Sequence, residues 1–138
     1  MNRKLLIYVT GPINTLNEPS HKRSMTAISL ACRSVLLSGH LPVCPILSIV
    51  DYQNDPRIKF ASEWWINHYC GPMMEYCQHF CYIPDMVGMK TQLCEMEKDK
   101  WRLMKSGRMV MADTIMKFLL SLNREQHQPG DTVYVTSG

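Results

Sequence analysis

Lys4-Leu5-Leu6-Ile7-Tyr8-Val9-Thr10-Gly11-Pro12-Ile13 carries an unbroken run of strand formers that stops at a Gly-Pro pair. An apolar run of this kind, closed by two breakers, predicts a strand buried on both faces of a parallel sheet. Such sheets bind ligands beyond the carboxyl ends of their strands, where a strand passes through a glycine-bearing loop into a helix. Tyr8 and Thr10, two residues apart, share one face of the strand, and Gly11 lets the backbone turn sharply. The stretch lacks the full glycine-rich phosphate signature, so a core strand with a plain turn is the simpler reading of these residues alone.

The 138 residues suffice for one domain with a genuine core and leave no room for two. A hydrophobic content of 46% with 20% charged residues is that of a globular chain. The net charge of +3 is too mild for a nucleic-acid groove, although it would suit a small anion. The first apolar run is too short for a signal peptide or a membrane span, so no membrane partner and a cytoplasmic location are expected.

After Gly11-Pro12, Asn14 to His21 is predicted as a loop, and Lys22 and Arg23 as the start of a helix reaching Ser38. Two basic residues there either meet a phosphate or are simply solvated. Gly39 closes that helix. Leu41 to Ile46 is predicted as the second strand, with Pro45 ending its pairing, and residues 48 to 59 as irregular. Ser62 is expected to cap a helix that Gly71-Pro72 interrupts. The adjacent Trp64 and Trp65 cannot both face one core, so one of them either lines a pocket or sits at the surface.

His79 to Ile83 is predicted as a third strand, stopped by Pro84-Asp85. Gln92 to Lys105 reads as an amphipathic helix with Leu93, Met96, Trp101 and Met104 as its apolar stripe and Glu95 in its first turn. Arg108 to Ala112, Asp113 to Asn123 and Thr132 to Val135 complete the alternation as strand, helix and strand. The expected class is α/β, a three-layer sandwich around an open, mostly parallel sheet of four or five strands. Cys32, Cys44, Cys70, Cys77, Cys81 and Cys94 match no common zinc spacing, so reduced thiols and no metal are expected. The eleven methionines read mainly as core filling, with Met86 and Met89 near the presumed pocket.

In order and spacing these segments resemble the nucleoside 2-deoxyribosyltransferase-like superfamily, especially its small phage or prophage members, over residues 4 to about 112. The resemblance rests on the strand-loop Tyr8 to Ile13, on Cys44-Pro45-Ile46 after the second strand, on Trp65, and on Glu95 heading a charged helix that reaches Gly107. It implies a flavodoxin-like or Rossmann-like single domain spanning 1–138, a homodimer or higher homo-oligomer, and no cofactor. It also implies a glutamate nucleophile that attacks the anomeric carbon of a nucleoside or its 5′-monophosphate. A carboxylate suits that chemistry because the anomeric centre becomes oxocarbenium-like. Glu95 takes that role by position, Tyr8 orients it or touches the sugar, and Asp85, Glu63 and His79 are candidate proton donors in that order. Thr10, Gly11, Pro12, Ile13, Pro45, Trp65, Met89 and Thr91 are the implied substrate contacts.

The chain departs from the family pattern where tryptophan, serine and glycine are usual, reading Met86, Met89 and Thr91 instead. The expected function is therefore an N-glycosidase or deoxyribosyltransferase acting through a carboxylate. The alternative is a module that keeps the fold but has lost the chemistry, sequestering a nucleotide or host-defence signal or binding a host protein. The expected partner is a small nucleoside or nucleotide and not a long nucleic acid.

Overall fold

The computed structural model describes residues 4–85, 87–122 and 129–136, so Met86 and Asn123 lie outside the described residues. Five strands form one all-parallel sheet: β1 (Leu6–Thr10), β2 (Leu41–Val43), β3 (His79–Tyr82), β4 (Met109–Ala112) and β5 (Thr132–Val135). Their order across the sheet is β2-β1-β3-β5-β4. This is the three-layer, flavodoxin-like or Rossmann-like arrangement expected from the alternating pattern. It differs from the flavodoxin order 2-1-3-4-5 by exchange of its last two strands. The helices are α1 (Glu18–Leu37), α2 (Pro45–Tyr52), α3 (Ser62–Trp65), α4 (Gly71–Met74), α5 (Gln92–Lys105) and α6 (Ile115–Leu122). Helices α1 and α6 pack together on one face, while α5 packs on α3 and α4 on the other. That division follows from right-handed crossovers: β1-α1-β2 and β4-α6-β5 run one way across the sheet, and β2-α3-α4-β3 and β3-α5-β4 the other.

The strands are buried as a parallel sheet requires. Ile7, Val9, Cys81 and Val133 are fully buried, and the edge strand β4 alternates between half-buried and exposed positions. The chain leaves β1 for β2 on one side and comes back to β3 on the other. The β1/β3 boundary is therefore the switch point, with its crevice beyond Thr10 and Tyr82.

Several local expectations are corrected. Helix α1 begins at Glu18, not near Lys22, because Asn17 caps it: the Asn17 Oδ1 accepts the Ser20 N–H at 2.9 Å, and Pro19 in the first turn needs no N–H partner. Pro45 does not merely end β2; it is the first residue of α2, which occupies part of the segment expected to be irregular. Ser62 is the first helical residue, and Ala61 is the cap without a side-chain hydrogen bond. Gly71-Pro72 does not break its helix. A π-helical turn over Ile66–Cys70 joins α3 to α4, and the Gly71 N–H reaches back to the Ile66 carbonyl. A Cβ on Gly71 would lie 2.7 Å from that oxygen, so the wide turn needs glycine there. No helix among the described residues is long and apolar enough to cross a membrane.

Candidate functional site

Tyr8 and Thr10 leave β1 toward α5, as their two-residue spacing dictates. The Tyr8 ring stacks on Phe80 of β3 at 5.3 Å and 7°, and Phe80 in turn meets Trp101 of α5. Both hydroxyls end on one carboxylate, that of Glu97. Tyr8 donates to Oε2 and Thr10 donates to Oε1 at 2.7 Å. Cys94, one turn earlier, lies 3.6 Å from the Thr10 hydroxyl and donates its thiol to the Gly11 carbonyl at 2.9 Å. Glu97 is fully buried. Burial pushes its carboxyl up to about 7, with the hydrogen bonds from Tyr8, Thr10 and Cys94 pulling the other way. Burial, reinforced by the Glu97 charge, holds the Tyr8 phenol well above its ordinary value, so it stays a donor.

Tyr8 therefore does not orient Glu95. Two residues along a helix turn a side chain by roughly 200°, so when Glu97 faces the sheet Glu95 faces away from Tyr8. Glu95 lies at the end of β3, with its side chain 33% exposed. It accepts from the Tyr82 hydroxyl at 3.3 Å and from Lys98 Nζ at 3.1 and 3.2 Å. Lys98 is itself held over the rings of Tyr82 and Tyr134, 4.8 and 5.6 Å from their centroids. Glu95 thus sits in a basic, aromatic corner rather than beside the residues expected to share its chemistry.

A cleft of about 410 Å³ opens on the α5 face, between the loop after β1, α2, α3 and the start of α5. It gathers three of the expected substrate contacts, Ile13, Trp65 and Thr91. Thr91 also caps α5 with its side chain, at 3.4 Å from the Cys94 N–H. The two tryptophans divide as their adjacency requires: Trp65 is 4% exposed and lines the cleft, while Trp64 is 40% exposed and stacks on Phe60. The Trp65 indole Nε1–H is buried without a hydrogen-bond partner among the described residues. Gln53, Asn54 and Gln92 add carboxamides to the lining, and no carboxylate belongs to it.

The remaining expected contacts lie elsewhere. Pro45 is buried in the first turn of α2, and Gly11 is enclosed by the Ile83 backbone and Ile28 of α1, with Cys94 of α5 on its carbonyl. Pro12 and Asp85 line a depression on the opposite, α1 face. Asp85 Oδ2 accepts the backbone N–H groups of Val87 and Met89 at 3.2 and 3.3 Å, which makes it the clasp of its own loop. His79 packs edge-on to Phe118 on the α6 face, and Glu63 is exposed on α3. Glu95, Tyr8 and Asp85 are therefore in three different environments.

Glu97 was not among the candidates from the sequence. The signal for it was indirect: two hydroxyls on the inward face of a buried strand need an acceptor on the element that covers them.

All six cysteines are free thiols. Burial pushes Cys70, Cys77 and Cys94 up to about 12 and raises Cys81 as well, whereas the Cys44 contact lowers the half-buried Cys32. Alkylation of the native protein at mildly alkaline pH, read by peptide mass spectrometry, is expected to label Cys32 well ahead of those four. Rapid native labelling of Cys94 would contradict the packing described. Among the described residues no group of three or more His, Cys, Asp or Glu is placed to hold a metal ion.

No family model matches the chain, and no curated protein or solved structure matches it either.

Proposed function

We propose that this chain is a nucleoside- or nucleotide-binding module whose ligand lies in the cleft beside Trp65. The observation that carries the reading is the unpartnered indole N–H of a buried tryptophan in the lining of that cleft. A buried donor without an acceptor costs stability in the free protein and is satisfied when a ligand brings one. The neighbouring carboxamides of Gln53, Asn54 and Gln92 present the paired donor and acceptor that nucleobase edges match. The cleft volume is in the range of small-molecule sites. The fold supports the placement, because the cleft borders the loop leaving β1 at the switch point.

Trp65→Phe tests this. It removes a donor that has no partner in the free protein but also leaves a cavity among Phe60, Trp64 and Tyr69, so the two effects on stability oppose each other, while affinity falls by about tenfold for the loss of one hydrogen bond in a buried site. Equilibrium titration with the common nucleosides and their 5′-monophosphates, ribo and deoxy, reads both the ligand class and the loss. Absence of binding by every one of them would overturn the proposal.

One observation favours the enzymatic alternative, an N-glycosidase or deoxyribosyltransferase. Glu95 remains reachable by solvent at the strand ends and is held by Tyr82 and Lys98, which suits a carboxylate that meets a developing oxocarbenium ion. Incubation of the same ligands with wild type and Glu95→Gln, with free base followed by chromatography, separates the readings. Base release that the variant loses by orders of magnitude establishes the glycosidase; binding without release establishes the module.

A further inference from the structure

On the other side of the sheet a larger trough, about 820 Å³, runs along the first half of α1 toward the end of β5. One bank is an α1 face at helical spacing, Arg23, Thr26, Ala27 and Leu30, with Lys22 beside it. The other is the segment leaving β3, Ile83-Pro84-Asp85. A small lobe that shares Arg23, Pro84 and Asp85 extends it to Pro12 and Asn14 in the β1/β3 crevice. The fully buried residues of the helix lie on a neighbouring face, Ser24, Ile28, Ala31 and Val35, while of the trough wall Arg23, Thr26 and Leu30 are exposed.

The chemistry of the trough is sharply divided. Its floor is aliphatic, and its rim carries two adjacent cations. Glu18 precedes Lys22 by four residues, the favourable spacing for a pair. Among the described residues, however, the ion pairs are Asp55–Arg57, Glu95–Lys98, Asp131–Arg108 and Asp113–Lys117, and neither Lys22 nor Arg23 takes part. Arg23 donates to the Ser20 hydroxyl at 3.0 Å, which steadies the guanidinium without neutralising it. Asp85, its Oδ2 engaged by its own loop, adds a carboxylate on the far bank that would accept from a hydroxyl and repel a second anion.

We propose that this trough is a second ligand site, taking a phosphate monoester whose apolar body rests on Ala27, Leu30, Ile83 and Pro84 while Lys22 and Arg23 hold the phosphate. An arginine fork beside a lysine matches phosphate oxygens in geometry and charge. The site is distinct from the Trp65 cleft and stands whether or not that cleft takes a nucleoside.

Hexyl phosphate, hexanol and inorganic phosphate are the probes, each titrated into the full chain with backbone amide shifts followed by NMR. Hexyl phosphate is expected to perturb residues 22–30 and 83–85. Hexanol and inorganic phosphate, each lacking half of the recognition, should bind about tenfold or more weakly. The double variant Lys22→Gln, Arg23→Gln should lose hexyl phosphate affinity by a similar factor. Thr26→Glu, an exposed substitution that sets a carboxylate in the trough at ion-pair spacing from Lys22 and Arg23, should do the same while leaving both cations in the sequence. Hexanol binding as well as hexyl phosphate would reduce the trough to an apolar groove and overturn the proposal. So would inorganic phosphate binding equally well, shifts confined to the Trp65 cleft, or variants that bind like wild type.

Discussion

Glu97→Ala is expected to lower the unfolding free energy by about 4 kcal/mol, combining a cavity with two buried hydroxyls deprived of their acceptor. Tyr8 and Thr10 stand on the fully buried face of β1, where both hydroxyls depend on that carboxylate. Glu97→Gln keeps the volume and one acceptor and should cost far less. It also isolates a pH effect. An unfolded glutamate titrates near 4.5, while burial raises the folded carboxyl to about 7. Between those values the folded chain keeps a proton that the unfolded chain has released, so Glu97 makes stability fall as pH rises through that window. The loss amounts to about 3 kcal/mol and levels off once both states are ionised. Denaturant titrations of wild type and Glu97→Gln across that range check this directly: their difference in unfolding free energy should shrink as pH rises. A difference that stays flat with pH would show that Glu97 does not titrate in this window.

Gly11→Ala is expected to be nearly as damaging, for a steric reason. A Cβ there would lie 2.3 Å from the Ile83 carbonyl oxygen, which is backbone, with Ile28 side-chain carbons at 3.2 and 3.3 Å behind it. Ile83 cannot retreat freely, because its own N–H is bonded to the Thr10 carbonyl at 2.8 Å. The ends of β1 and β3 must part, at about 3 kcal/mol, seen as a thermal midpoint lowered by roughly 10 °C. Both clefts have walls in these two segments, Ile13 on one face and Pro12 with Ile83 on the other. Ligand binding in each should therefore weaken together in this variant, whereas Trp65→Phe touches one cleft and Thr26→Glu the other. A midpoint within a few degrees of wild type would mean the close approach is relieved more cheaply than the geometry implies.

Much of the fold was legible because its signals are local. The run through Thr10, the Gly-Pro stop and the amphipathic period of α5 each follow from neighbouring residues, and α5 spans the residues expected of it. The start of α1 was misplaced because Glu18 and Pro19 read as loop residues until Asn17 is recognised as their cap. In the site, Ile13, Trp65 and Thr91 do converge, but the catalytic group does not. Glu97 was passed over in favour of Glu95 because a charged residue in an otherwise amphipathic helix is normally on its wet side. Only the pairing of β1 beneath α5 reveals that position 97 is covered. The strand order was also out of reach, since nothing in a four-residue segment such as Thr132–Val135 states which neighbour it will take.

That strand order has a consequence for how the molecule is made. β5 lies between β3 and β4, yet it follows both in the chain. While the polypeptide is being synthesised, β4 emerges before the strand it pairs with, and β3 waits with one side open. The sheet can close only when Thr132–Val135 slides between them and bonds to both at once. Folding should therefore be limited by a late, long-range insertion rather than by growth outward from β1. Until then the open edge of β3 is the place where two nascent copies would pair with each other.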